Sequence, residues 1–460
     1  MPQSKEEHSR TLLLDELARD FSLHGIRRRR RSHFWHSRSS LYTRHLSDNL
    51  RRLLETTLAA SLLLAFSPAL LILFVWAKAA GGKIGHRQVL GRQAIPFPLF
   101  QFEFPNPQTA PCWANTLLAK IPALWNAARG EMSFIGPRPV PSKEFSASER
   151  NAWKRYDLRP GFLSVWWLRR RGNIDYTCET DLDAEYVETR TFRGDLGIAL
   201  RALPALTYGK TSSDGPGQVT ILGIPISNLS LAEAANQIIR LAASNRPSQV
   251  CFVNADCANA AHRDQAYMGV LERSDLILAD GIGMRLAGQF LKKPIRQNVN
   301  GTDLLPVLCS AAAASGLGIY LLGGRPGVAE ATAGWMRAQA PSLEICGTRH
   351  GFFRPHEELA IVQAIQDSKA RILLVALGAP KQDLWIDTHK ASLPPGVSIG
   401  VGGLFDFYSG TIPRAPVWMR EIGMEWFFRF LQEPGRMWRR YFLGNALFLL
   451  RVLNQRIRKS

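Results

Sequence analysis

The stretch Ser274-Asp-Leu-Ile-Leu-Ala-Asp280-Gly-Ile-Gly283 decides the fold class of this chain. Its apolar run, residues 276–278, is typical of a buried strand, and the glycines after Asp280 end that strand and open a turn. A carboxylate at the carboxyl end of a strand in an open α/β sheet lies where such sheets bind ligands. Asp280 is therefore a candidate general base. The alternative is an aspartate that only caps the next helix.

The same order of apolar run, turn and helix recurs through the C-terminal half. The other runs are residues 250–253, 319–322, 372–377 and 397–401. Strands that alternate with helices predict an α/β domain with a Rossmann-like, mostly parallel sheet and helices on both faces. The polar residues that follow the strands, such as Asn254 and Gln382, should then meet Asp280 at one edge of the sheet.

A glycine-rich turn follows the run at residues 319–322. Its sequence, Gly323-Gly-Arg-Pro-Gly327, is not the dinucleotide-binding fingerprint. Gly323 and Gly324 could still let a phosphate or nucleotide approach the backbone closely. A plain tight turn is the alternative.

The composition limits the class of partner. A net charge of +19 predicts an anionic partner, which could be nucleic acid, acidic lipid or a phosphorylated substrate. The sequence has no zinc-finger or RNA-recognition signature, so no nucleic acid is expected. The 6 cysteines lack CxxC spacing, which argues against zinc and against a disulfide framework and fits a reducing compartment.

Four segments follow one another along the chain. Residues 1–45 are polar, include a run of arginines at 27–31, carry no secretory signal and predict a mostly disordered basic arm. Residues 46–206 form a first domain, and residues 207–218 form a linker rich in Gly, Ser and Pro. Residues 219–460 form the α/β domain with a basic C-terminal appendage, in which residues 441–453 predict an interfacial helix.

Residues 56–77 carry no charge and could enter a membrane. Pro68 interrupts this segment and should kink it, while Ser67 could satisfy the freed carbonyl. Basic residues flank both ends, so the positive-inside tendency selects no crossing direction. A re-entrant hairpin is therefore predicted, with a single spanning helix or a buried soluble helix as alternatives.

Two Gly/Pro-rich motifs of the first domain resemble a known family. Gly136-Pro137-Arg138-Pro139 and Arg159-Pro160-Gly161-Phe162, together with the Ser67-Pro68 hairpin, resemble the bacterial sugar transferases, which are polyprenol phosphate phosphoglycosyl transferases. The resemblance implies a membrane-associated, mainly helical domain. In such rigid turns Arg138 and Arg159 could present their guanidinium groups to phosphate.

The first domain departs from that family where its chemistry takes place. The family carries an Asp-Glu pair, the nucleophile and a metal-binding acid, where this chain has Ala119-Lys120. Neither residue can form an acyl phosphate or hold magnesium, so a catalytically silent domain is expected, and Mg²⁺ would be needed only if the domain were active. The alternative is that Glu131 or another acid takes over.

The second domain resembles the WecG/TagA/CpsF glycosyltransferases, family 26. The matching motifs are Asn254-Ala255, Ala279-Asp280-Gly281-Ile-Gly283, Gly301-Thr-Asp303, Leu322-Gly-Gly324, Gly378-Ala-Pro-Lys-Gln382, Arg414-Ala-Pro416 and Glu425-Trp426-Phe-Phe-Arg429. The resemblance implies inverting, metal-independent transfer from a nucleotide sugar, commonly a UDP-N-acetylhexosamine, to a polyprenyl-diphosphate-linked sugar. It implies no cofactor for this domain.

The resemblance also assigns roles to residues. Asp280 is the expected base, and Asn254 and Gln382 are expected to orient the donor sugar. Two positions depart from the family: Phe252 replaces a common Thr, and Asn298 replaces a common Arg, with Arg296 nearby. The cation that meets the donor diphosphate is therefore open. Further candidates for substrate binding are Asp303 and the appendage residues Arg414, Arg420, Arg429, Arg436, Arg439 and Arg440.

These observations predict an enzyme of polysaccharide assembly at the bacterial inner membrane, with its catalytic domain on the cytoplasmic face. The expected partners are a UDP-sugar donor, a polyprenyl-diphosphate-linked sugar acceptor and the membrane, and a homo-oligomer is left open. The alternatives are a bifunctional enzyme that also primes the lipid and a non-catalytic scaffold.

Overall fold

The structure is a computed structural model that describes residues 51–79, 81–104, 117–144, 153–172, 178–205 and 217–459. The predicted basic arm, Cys112 and most of the predicted linker lie outside the described residues. The described chain is a mixed α/β protein with a large, mostly parallel sheet in its C-terminal part.

The N-terminal region combines helices with two strands of eight residues and three strands of two or three residues. Its helices are α1 Arg51–Ala65, α2 Ser67–Ala79, α3 Leu124–Ala128, α4 Val165–Gly172, α5 Glu179–Thr189 and α6 Phe192–Ala205. Its strands are β1 Lys83–Leu90, β2 Pro96–Glu103, β3 Ser133–Ile135, β4 Val140–Pro141 and β5 Gly161–Leu163. The antiparallel β1–β2 hairpin was not predicted, although the alternate burial of Phe97 and Leu99 in β2 is the ordinary strand period.

The apolar segment bends where its proline predicts. The axes of α1 and α2 differ by 68° at the break beside Ser67 and Pro68. Proline cannot donate to the carbonyl of Leu64, and the Ser67 hydroxyl donates to that carbonyl at 2.8 Å instead. Within the described ranges, no single helix is long and apolar enough to span a membrane, and only this bent pair qualifies when its helices are taken together.

Eight strands form the C-terminal sheet. In chain order they are β6 Gln218–Ile221, β7 Ile224–Ser227, β8 Pro247–Val253, β9 Leu276–Ala279, β10 Ile319–Gly323, β11 Ile345–Arg349, β12 Ile372–Ala376 and β13 Gly396–Gly400. Their spatial order is β11-β10-β12-β13-β8-β9-β7-β6. All neighbours are parallel except β6 and β7, so the predicted mostly parallel sheet is confirmed.

Helices cover both faces of this sheet. They are α7 Leu231–Ala243, α8 Ala255–Arg263, α9 Gln265–Arg273, α10 Ile282–Phe290, α11 Gly301–Ala314, α12 Val328–Gln339, α13 Glu358–Asp367, α14 Lys381–His389 and α15 Leu404–Tyr408. Leu276 and Leu278 of β9 face the cluster formed with α7, α11 and α12, whereas Ile277 and Ala279 face α8, α9 and α10. Because both faces are buried, the strands are continuous apolar runs.

The C-terminal appendage is helical and folds back onto the sheet domain. It contains α16 Val417–Glu421, α17 Glu425–Gln432, α18 Pro434–Trp438, a π-helical turn Arg439–Gly444 and α19 Asn445–Lys459. Phe448 and Val452 of α19 are fully buried beside α8 and α10. Part of the predicted interfacial helix therefore serves the protein core, while Leu450 on its other side is exposed.

Candidate active site

Asn254 and Asp280 lie side by side at the carboxyl edge of the sheet. Each residue directly follows its strand, and the last residues of those strands, Val253 and Ala279, are paired in register. The backbone N–H of Asp280 donates to the carbonyl of Val253 at 2.9 Å. The strand-end convergence predicted from the sequence is thus present for this pair.

Asn254 holds both the next helix and the carboxylate of Asp280. Its Oδ1 accepts hydrogen bonds from the N–H groups of Asp256 and Cys257, both at 3.0 Å, and so caps α8. Its side chain also hydrogen-bonds Asp280. Asp280 itself does not cap α10, because Gly281 occupies the N-cap position without a side-chain cap. The structure therefore does not use Asp280 as the N-cap residue of α10.

The surroundings of Asp280 raise its pKa. Burial is the main cause and lifts the value from 3.8 to about 6, while the hydrogen bond from Asn254 and the positive charge of Arg440 oppose the rise. The negative charges of Glu425 and Asp303 add to it. A carboxylate with a pKa near neutrality is a better proton acceptor than an ordinary one.

The turn after Asp280 depends on Asn298. Gly281 has a φ of +88°, which favours glycine, and its N–H donates to Oδ1 of Asn298 at 2.5 Å. The residue that departs from the family thus fixes the turn beside the candidate base. Arg296 is engaged elsewhere, since its Nη1 lies 3.1 Å from Oε2 of Glu233 at the start of α7. Phe252 is buried in the sheet core.

Asp303 and Arg414 form an ion pair under the appendage. Nη2 of Arg414 donates to Oδ1 of Asp303 at 2.6 Å, and its Nε donates to Glu425 at 3.2 Å. Asp303 also accepts from Asn300 at 2.7 Å. Nη1 of Arg420 lies 4.0 Å from Asp303. Arg414 is therefore partly neutralised by two carboxylates.

Gly323, Gly324 and Gln382 are bound into the loops of the sheet edge. A Cβ on Gly323, whose φ is +134°, would lie 2.4 Å from the carbonyl oxygen of Ala376. Gly324 N–H donates to that same carbonyl at 3.1 Å. Gln382 is only 2% exposed, and its Oε1 accepts from Gly402 N–H at 2.8 Å. These contacts support the tight-turn alternative, and substrate contacts by these residues stay predictions.

Arginines of the appendage differ in their surroundings. Arg429 lies over the ring of Phe407 at 5.1 Å, with Nη2 3.7 Å from Glu433. Arg436 belongs to α18, and its side chain is not among the described ones. Arg440 is the cation whose charge lowers the pKa of Asp280, and its Nε lies 3.2 Å from Asp256.

Tyr441 and Glu425 join the site without having been predicted as site residues. Burial raises the pKa of Tyr441, with Arg440 and Arg429 opposing and Asp280 and Glu425 adding to the rise. From the sequence, Arg440 was one of six appendage arginines with no individual role assigned. Its adjacency to an aromatic residue was the available signal, but proximity to Asp280 depends on how the appendage folds back.

The two motif turns of the N-terminal region lie together. Gly136 N–H donates to the carbonyl of Leu163 at 3.0 Å, and Gly161 N–H donates to that of Pro137 at 2.8 Å. Arg159 lies within the second of these turns. The pairing supports the expectation of two rigid, adjacent turns.

Arg138 lies in the first of these turns and forms ion pairs with two carboxylates. Its Nε donates to Glu179 at 2.6 Å and its Nη2 donates to Glu144 at 3.1 Å. The guanidinium also lies 4.9 Å from the ring centre of Trp166.

Ala119 and Lys120 lie in the 3-10 helix Leu117–Ala123. In the described part of the chain, no group of three or more His, Cys, Asp or Glu residues is placed to hold a metal ion.

Comparison with known proteins identifies both parts of the chain. Residues 108–209 match the bacterial sugar transferase family model. The chain is 31% identical over 211 residues, 46% of its length and 81% of the relative's, to the N-acetylglucosaminyldiphosphoundecaprenol N-acetyl-beta-D-mannosaminyltransferase of Bacillus subtilis (strain 168). It is also 31% identical to the protein of the same name from Bacillus spizizenii, over 43% of this chain and 75% of that one. Residues 219–460, more than half of the chain, match the glycosyl transferase WecG/TagA/CpsF family model, and the chain is a glycosyltransferase that belongs to this family.

Proposed function

We propose that this protein transfers an N-acetylhexosamine from a UDP-sugar to a polyprenyl-diphosphate-linked sugar, with inversion at the anomeric carbon. The relatives' name describes transfer of an N-acetylmannosaminyl group to N-acetylglucosaminyl-diphosphoundecaprenol. The observation that carries the proposal is Asp280, a carboxylate of raised pKa that lies beside Asn254 at the sheet edge and near the positive charge of Arg440 in the appendage.

The proton and the leaving group have separate partners. The acceptor hydroxyl oxygen attacks the anomeric carbon, its proton goes to Asp280, and the bond from that carbon to the UDP oxygen breaks with its electrons leaving on UDP. Positive charge near Asp280 stabilises the departing diphosphate, and Arg440 is the cation best supported for this role. Arg429 is a second candidate. Arg440 and Arg429 each face one carboxylate, Asp256 at 3.2 Å and Glu433 at 3.7 Å, whereas Arg414 is paired with two. We propose that no metal takes part.

The acceptor is a lipid, and the exposed apolar surface supports a place at the membrane. Leu64 of α1 is 78% exposed and Ile72 of α2 is 67% exposed. On α6, Leu196, Leu200 and Leu203 are all more than half exposed, and their spacing puts them along one side of the helix. We propose that these surfaces contact the cytoplasmic face of the bacterial inner membrane, with α1 and α2 as a re-entrant hairpin.

The N-terminal domain is proposed to be catalytically silent. Neither Ala119 nor Lys120 has the carboxylate that would form the acyl phosphate or hold magnesium. Arg138, the expected phosphate contact, is held by Glu179 and Glu144. Both observations support a domain that keeps its fold and its membrane surface without priming chemistry.

The purified full-length protein in lipid nanodiscs tests the proposal. It is given polyprenyl-diphosphate-N-acetylglucosamine and a panel of UDP-sugars, and UDP release and the lengthened lipid product are measured. Asp280→Asn should lower the rate about 10²- to 10⁴-fold, the usual contribution of a general base. Asp367→Asn, an exposed change at the end of α13, is the matched control and should keep full activity.

The same preparation separates the remaining alternatives. Given polyprenyl phosphate and a UDP-sugar, a silent N-terminal domain forms no phosphosugar lipid. Release of UMP together with that lipid would establish a bifunctional enzyme instead. Polysaccharide output that is unchanged in cells carrying Asp280→Asn would favour a scaffold.

A further inference from the structure

We infer that the N-terminal domain is a brace for the active site of the second domain, acting through the buried carboxylate of Glu421 and the side chain of Ile282. The inference rests on the proposed function and adds a task for the domain that has lost its own chemistry. Glu421 is on this view a positioning residue, since it acts on the site through its neighbours.

Glu421 joins the appendage to the N-terminal domain. It lies at the end of α16 and is only 1% exposed. Its Oε1 accepts from Nε of Arg169 in α4 at 3.4 Å, and its Oε2 pairs with Nη1 of Arg201 in α6. A buried carboxylate depends on such partners, because leaving it unpaired is strongly unfavourable. The orientation of α16 is therefore tied to two helices of the other domain.

The adjacent residue connects this contact to the active site. Arg420 lies in the same short helix, and its Nη1 is 4.0 Å from Oδ1 of Asp303. Asp303 pairs with Arg414, which in turn pairs with Glu425. Asp303 and Glu425 are the two carboxylates whose charge acts on Asp280. A shift of α16 would therefore change the electrostatic surroundings of the candidate base.

A second contact reaches the other side of the site. Ile282, two residues after Asp280, packs against the N-terminal cluster that includes Ile135, Leu168 and Ile198. The N-terminal domain thus contacts both the turn that carries the base and the appendage that supplies the charges near it.

The packing between α16 and the N-terminal helices leaves open space on one side. A cavity of about 350 Å³ separates part of α16 from the N-terminal helices, and Trp418, Glu421, Arg169 and Arg201 are among its lining residues. The ion pairs of Glu421 with Arg169 and Arg201 are the polar contacts that join α16 to these helices. This gives a physical reason for the chain to keep a domain that performs no transfer of its own.

A double-mutant cycle in the full-length protein tests the brace. Glu421→Gln and Arg201→Gln should each lower kcat/KM about 3- to 30-fold, the range of coupling changes produced by single residues. The loss should fall mainly on the KM for the UDP-sugar, because the appendage carries Arg440, the cation proposed to meet the donor diphosphate. Their effects should be non-additive, and Arg201→Lys, which keeps the charge, should recover most of the activity. Arg193→Gln, an exposed change on the same helix, is the control.

Hydrogen exchange gives a measurement that needs no activity. Glu421→Gln should increase exchange in α16 and α17 and in the turn at residues 280–283, while α12 and α13 remain as in the unchanged protein. Equal exchange in these segments together with unchanged kinetics would overturn the inference. A protein that shows the exchange response but transfers no sugar would instead overturn the proposed function and leave the brace supported. If Glu421→Gln does not fold, the Arg201→Gln and Arg201→Lys pair carries the same test.

Discussion

Acidification should switch off sugar transfer through protonation of Asp280. Its pKa lies at about 6 in the folded protein. From that value, the carboxylate is about 90% ionised at pH 7 and about 10% ionised at pH 5. The base form is the active one, so kcat/KM should fall about tenfold for each pH unit below 6.

Two charge-removing variants should shift the acidic limb of the pH profile, the fall in kcat/KM below pH 6, in opposite directions. Arg440 lowers the pKa of Asp280, so Arg440→Gln should move the limb to higher pH. Glu425 raises that pKa, so Glu425→Gln should move the limb to lower pH. Arg440→Gln should also lower the plateau rate, since it removes a cation near the leaving diphosphate.

The assay is UDP release measured between pH 5 and pH 8.5 in buffers of constant ionic strength. Stability at each pH is checked by recovering activity after return to pH 7.5. A limb that stays in place in both variants, or that moves in the same direction in both, would refute the assignment of Asp280 as the titrating base.

Three further outcomes are expected. Asp280→Asn should raise the free energy of unfolding at pH 7.5 by at most about 3 kcal/mol. The folded pKa of about 6 exceeds the ordinary 3.8, so the ionised carboxylate destabilises the fold at this pH and the neutral amide does not. This gain should vanish below pH 4, and calorimetry at both pH values measures it. Gly323→Ala should destabilise the protein by about 1–3 kcal/mol in chemical denaturation, since its φ is +134° and its Cβ would meet Ala376. Sugar transfer should continue unchanged in EDTA, and lost activity restored by Mg²⁺ would contradict metal independence.

Local sequence patterns predicted the structural features that depend on residues close together in the chain. The bend beside Pro68 follows from the missing N–H of proline. The Ser67 hydroxyl donates instead to the carbonyl of Leu64, which an N–H at position 68 would otherwise reach. The parallel sheet follows from the alternation of apolar runs and helices. Asn254 and Asp280 meet because each directly follows one of two adjacent strands.

Side-chain partners far apart in the sequence were decided only by the fold. Which appendage arginine approaches Asp280, and which are neutralised by carboxylates, depends on how the helices after residue 411 return to the sheet edge. No periodicity records that Arg201 meets Glu421 across 220 residues. The sequence by itself determined the class of fold, the family and the position of the candidate base, because local spacing sets strands and turns. Tertiary structure decided the charges around that base, because Glu425 and Arg440 approach it only when the appendage folds back onto the sheet domain.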